Sequence, residues 1–182
     1  MGDNKDIIRI TAAHHEVHEG DSYNYVLTET TMQTTETINV AFKTPAAATK
    51  YIHMIVEFST RAGGNLEILE AATWTAQTGT AATPMNANRN SSNTSSLLGN
   101  ETTTVFTAGE IAYDVTTILT TNATIIEDVY AFGANRVPAT NRGITEFILK
   151  AATTYVIRFT ADGNTNGGQI HLRWYEHLPN VI

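Results

Sequence analysis

The chain has 182 residues, a net charge of −7, 42% hydrophobic residues, 16% charged residues and no cysteine. A single core commonly occupies about 100–200 residues, so the length fits one domain. The missing thiols exclude disulfide frameworks, thiolate zinc sites and cysteine nucleophiles. Charge well below the usual ~25% disfavours long salt-bridged helices and coiled coils. Eleven scattered basic residues cannot form the broad cationic surface that nucleic acid requires. Threonine is the commonest residue, with 31 copies, and its branched Cβ favours strands over helices.

In chain order, the polar opening Met1–Asp6 is not followed by an apolar stretch of signal-peptide length. No later run approaches the ~18–20 apolar residues of a membrane span. The expectation is a soluble chain made in a cytosol, with no membrane partner. Residues 1–20 form an N-terminal arm or first strand. The one helix candidate is Ile7–Glu19, although Ile7–Thr11 reads equally well as a short strand.

The predicted β-sandwich domain covers residues 21–182. Tyr23–Thr30 is rich in β-formers, and Thr35–Thr44 alternates with Ile38, Val40 and Phe42 on one face. Lys50–Thr60 puts Ile52, Met54, Val56 and Phe58 on one face and Tyr51, His53, Ile55 and Glu57 on the other, as expected of a strand buried on nearly both sides. Arg61–Asn65, with its Gly-Gly-Asn, predicts a hairpin turn into a strand at Leu66–Ala71. Thr75–Asn100 is a long polar loop of a length usually kept for binding or subunit contact. Thr102–Ala108, Ala112–Thr121 and Thr124–Phe132 are further strand candidates, followed by the polar stretch Gly133–Gly143. Ile144–Lys150, Thr153–Ala161 and Gln169–His177 close the chain, with a turn over Asp162–Gly168. Eight to ten strands and one core's worth of chain predict a single-domain all-β fold: an antiparallel β-sandwich of jelly-roll type with at most a short N-terminal helix.

Candidate chemistry is sparse. His14-His15-Glu16-Val17-His18 concentrates ligand-type side chains, but Glu16 does not directly follow the first histidine as the zinc-protease motif demands. On a strand, His14, Glu16 and His18 would share a face and could hold a metal; a solvated or subunit-facing strand is the simpler reading. Glu57, Glu67, Glu70, Glu127, Asp128 and Glu146 offer no pair whose separation the sequence sets for glycoside hydrolysis. Ser91, Ser92, Ser95 and Ser96 lack a nucleophile elbow, and no phosphate-cradling glycine loop is present. Trp74, Trp174, Tyr175 and Tyr130 are expected to pack, with sugar stacking as the alternative. No cofactor and no enzymatic activity are expected.

Three segments in order carry a resemblance: HHEVHEGDSYNY, TPMNANRNSSNTSS after a Gly-Thr-Ala turn, and EFILKAATTYVIRFTADGNTNGGQIHLRWYEH. Together they resemble a group of small structural proteins of tailed bacteriophages. The resemblance implies a capsid decoration or cement protein, a jelly-roll-like homotrimer on the outer surface of the head, bound to the major capsid protein and stabilising the shell. It implies a virion location after synthesis in the bacterial cytoplasm, and it brings no catalytic residues. The contact residues expected on this reading are Arg89 with Asn86, Asn88 and Asn90 in the long loop, then Arg136 and Arg142 in the second polar stretch. A receptor- or carbohydrate-binding module of a tail fibre or spike is the alternative.

Overall fold

The computed structural model describes residues 15–47, 49–75, 79–99, 105–132 and 146–178. After a helical turn at residues 15–19 the regular structure of the described residues is all strand. The long strands are β1 (Ser22–Met32), β2 (Thr37–Lys43), β3 (Tyr51–Thr60), β4 (Gly63–Glu70), β10 (Thr124–Phe132), β12 (Thr154–Ala161) and β13 (Asn166–His177). Shorter strands are β5 (Thr80–Ala82), β6 (Met85–Asn86), β7 (Leu98–Gly99), β8 (Thr107–Ala108), β9 (Ile111–Tyr113) and β11 (Glu146–Ile148).

Their pairing is that of a jelly roll. The first sheet runs β11-β3-β13-β1-β6 and the second contains β10-β4-β12-β2, extended at the β2 edge by the short strands. The first long strand pairs with the last (β1 with β13), β2 with β12, β3 with β11 and β4 with β10, all antiparallel. A long hairpin folded over into two four-stranded layers has this order, and β3–β13 and β4–β12 pairs join its halves. Alternating side chains from both layers fill the space between them, among them Ile38, Val40, Phe42, Met54, Phe58, Ile157, Phe159, Ile170 and Leu172.

Most of the predicted strands recur among the described residues; of Thr102–Ala108, residues 102–104 lie outside them and only Thr107–Ala108 is strand. The β3–β4 turn falls at Arg61-Ala62, so Gly63 and Gly64 already lie in β4. Asn166, fully buried, sets that turn: its Oδ1 accepts from the Thr60 hydroxyl and the Ala62 and Gly167 amides, and its Nδ2 donates to the Gly63 carbonyl. Glycine is required at Gly64 for close approach, because a Cβ would stand 2.4 Å from the Thr160 carbonyl oxygen. Instead of one strand over Ala112–Thr121, β9 ends at Tyr113 and Asp114 and Thr117 take left-handed backbone angles. The buried side chain of Asn39 receives that chain, accepting from the Val115 amide and donating to its carbonyl.

β3 is buried on one face and half-buried on the other; the strand covered on both faces is β2, where Ile38 through Phe42 are all buried. The cause is the long β4–β10 connection. Trp74, Val115, Phe106 and Ile118 from this segment pack with Ala41, Leu69 and Val156 on the outer face of the second sheet, making a second small core. The same segment pairs β6 with β1 and β7 and β9 with β2, so it covers one edge of both layers.

Two buried carboxylates tie remote segments together. Glu176 is fully buried; its Oε1 accepts from the Ser95 hydroxyl at 2.7 Å, the Trp174 indole at 3.1 Å and the Ser96 amide at 3.0 Å. Glu70 takes the Lys150 ammonium at 2.5 Å and the Tyr155 hydroxyl at 2.9 Å. Burial alone would raise the Glu70 carboxyl, but the hydrogen bonds from Lys150 and Tyr155 and the Lys150 charge outweigh it and hold the group below its ordinary value.

Glu176→Ala leaves the Trp174, Ser95 and Ser96 donors unmatched and should cost about 3 kcal/mol in urea unfolding, with faster amide exchange at Ser96. Because the folded state favours ionised Glu70, its contribution is complete above the ordinary value of 4.5 and is lost as pH falls through the lower folded value. The urea midpoints of the wild type and Glu70→Gln should therefore differ at pH 7 and converge in acid.

Candidate functional site

Strand alternation divides β13 into an inward row, Leu172, Trp174 and Glu176, and an outward row, His171, Arg173, Tyr175 and His177. Register places Tyr175 opposite His53 and His177 opposite Tyr51 on β3, while Glu146 enters from β11. At one end of the first sheet's outer face these strands assemble a compact polar cluster. His53 Nδ1 lies 2.5 Å from Glu146 Oε1, and the Tyr175 hydroxyl donates to the same oxygen at 2.7 Å. The His53 and Tyr175 rings stack with centroids 4.7 Å apart, and Tyr51 meets His177 edge-on. The His177 and His53 Nε2 atoms face each other at 2.8 Å, and His177 Nδ1 lies 2.9 Å from the Leu178 carbonyl oxygen.

The electrostatics are set by the carboxylates. Burial would raise Glu146, yet hydrogen bonds from Tyr175 and His53, with the charges of His53 and His177, keep its carboxyl below the ordinary value. Glu16, on the helical turn, is raised by burial and by Glu19, against the opposing pull of His177 and His15. The Tyr175 phenol is pushed up by burial and by its bond to Glu146, so it stays protonated and donates. Further along the strand, Glu57 pairs with Arg173 at 2.7 Å and with His171 at 3.3 Å.

Of the metal candidates expected from the sequence, His14 lies outside the described residues. Glu16 and His18 stand on a helical turn rather than a strand, so i,i+2 spacing no longer gives them a common face. The turn instead brings His15, Glu16 and Glu19 within 4.8 Å of one another, with His15 and Glu19 paired at 3.3 Å. Neither His53 nor His177 was selected by sequence reasoning: 124 positions separate them, and alternation marked His53 only as the second face of a strand.

The loop residues resolve into two roles. Asn86 is buried; its Nδ2 donates to the Gly20 and Asn93 carbonyls and its Oδ1 accepts from the Asn88 amide. Asn88 donates to the His18 carbonyl and accepts from the Asn90 amide, and Asn93 donates to the Glu19 carbonyl. These side chains clasp residues 18–20 rather than face outward. Arg89 and Asn90, at the centre of the turn closed by the Ser91 amide and the Asn88 carbonyl, are exposed. Arg136 and Arg142 lie outside the described residues. Trp74 and Trp174 are buried in the two cores, as packing predicts, whereas Tyr130 and Phe132 are exposed on β10, with Phe132 at 89%.

Among the described residues no helix is long and apolar enough to cross a membrane. Comparison with known proteins finds no match among family models, curated proteins or solved structures.

Gly20 is the tightest point of the clasp. It has φ +81°, and a Cβ there would stand 2.2 Å from Ser91 Oγ. Gly20→Ala should therefore detach residues 15–19 from the loop and cost about 1–3 kcal/mol in thermal or urea unfolding.

Proposed function

We propose that this chain is a non-enzymatic virion structural protein, a capsid decoration protein that binds the outer surface of a tailed phage head through the major capsid protein and acts as a homotrimer. The observation that carries the reading is the asymmetry of the sandwich. On the β1–β2 side the chain's own β4–β10 connection covers both sheet edges. On the opposite side β10 ends its sheet, pairing among the described residues with β4 alone. Its outward side chains include Tyr130, 43% exposed, and Phe132, 89% exposed, with ring centroids 4.8 Å apart. A nine-residue edge strand carrying exposed aromatics is a ready surface for another protein chain.

Two further features support this reading. Jelly rolls recur in viral capsid and lectin domains, although the fold by itself does not assign function. The clasped loop presents Arg89 at the tip of a braced turn, where a guanidinium can make forked bonds to a carboxylate or to backbone carbonyls. The carbohydrate-binding alternative loses Trp74 and Trp174 as stacking platforms because both are buried.

The test is binding to phage heads assembled without this chain. Tyr130→Ser/Phe132→Ser and Arg89→Ala should each lower head occupancy in co-sedimentation by tenfold or more, the former also shifting the trimer towards monomer in sedimentation equilibrium. Unchanged occupancy and oligomeric state in folded variants, or glycan binding with no head binding, would overturn the proposal.

A further inference from the structure

We propose that His53 and His177 bind one divalent transition-metal ion of the zinc class through their Nε2 atoms, on the outer face of the first sheet. Glu146 Oε1 already accepts from the Tyr175 hydroxyl and accepts again from His53 Nδ1, 2.5 Å away, so that nitrogen carries a hydrogen. The Leu178 carbonyl likewise can only accept, so His177 Nδ1 carries one too. In neutral imidazoles this leaves both Nε2 atoms with bare lone pairs, and those lone pairs are aimed at each other across 2.8 Å. Two acceptors at that distance repel unless a cation stands between or beside them.

The remaining chemistry fits a metal ion. An imidazole whose Nδ1–H is held by a carboxylate or a backbone carbonyl is the arrangement by which proteins orient metal-binding histidines, and both kinds of outer partner are present here. Imidazole nitrogen selects zinc, copper, nickel or iron over calcium and magnesium. Two Zn–N bonds of 2.0–2.1 Å at a tetrahedral angle place the nitrogens about 3.3 Å apart, which a small rotation of either ring supplies. The His53 side chain is 14% exposed and His177 is half-buried, so solvent reaches the site and can supply the remaining ligands.

The experiment uses the full chain without an affinity tag, stripped with chelator and titrated with Zn²⁺ alone by calorimetry and with Co²⁺ alone by visible absorption. One ion per chain is expected. His53→Ala and His177→Ala should each weaken binding beyond the roughly 10–100-fold that losing an outer partner costs, which is the loss expected for Glu146→Gln. His171→Ala, whose histidine pairs with Glu57, should bind like the wild type.

A measurement on the wild type removes any dependence on how the variants fold. Long-range ¹H–¹⁵N spectra should show Zn²⁺ shifting the Nε2 resonances of His53 and His177 while their Nδ1 atoms stay protonated. Failure to take up one ion per chain would overturn the proposal. So would uptake that survives both histidine variants and is lost in His15→Ala, which would place the ion on the helical turn. Nε2 resonances that follow pH but ignore Zn²⁺ would identify a shared proton instead and would equally overturn it.

Discussion

The buried carboxylate of Glu176 is the constraint on which the rest of this structure turns. A carboxyl group with no exposure is tolerable only when its oxygens are matched, and its partners come from two places: the Trp174 indole on the same strand, and Ser95 and Ser96 in the β4–β10 connection. The last strand and the middle of the chain must therefore be in place together. Strand alternation carries the consequence across the sheet. With Glu176 fixed inward, Tyr175 and His177 point outward beside His53, and the core pin and the surface cluster share one register.

The β4–β10 connection gives the sandwich its polarity. A bare jelly roll has two similar outer faces and four strand edges; here one outer face acquires a second core around Trp74, and one side has both edges covered. Among the described residues the solvent-facing features include the titratable outer face of the first sheet, the aromatic edge of β10 and the Arg89 turn. The three lie on different elements of the same sandwich.

Much of the frame was legible in the residues. Alternation at Ile38, Val40 and Phe42, at Tyr155, Ile157 and Phe159, and at Ile170, Leu172 and Trp174 marks inward faces, because period two is a local property of a strand beside a core. Turns were less legible where a distant side chain defines them: Asn166 moves the β3–β4 turn ahead of its glycines, and Asn39 draws the chain after β9 out of a strand. The asparagines of the polar loop looked like adhesive for a partner. Three of them instead hold the segment before β1, because an amide serves an internal carbonyl and an external one equally well.

Composition and periodicity by themselves determined an all-β, cysteine-free chain folded as a sandwich, since β-branching and alternation act over a few residues and need no partner. Only the tertiary structure decided which histidines meet. His53 and His177 lie 124 positions apart and become neighbours through antiparallel register between β3 and β13, while their Nδ1 atoms meet Glu146 from a third strand and the carbonyl of Leu178. Such a site is a property of register, and register is fixed by the packing of a whole buried face rather than by any short run of sequence.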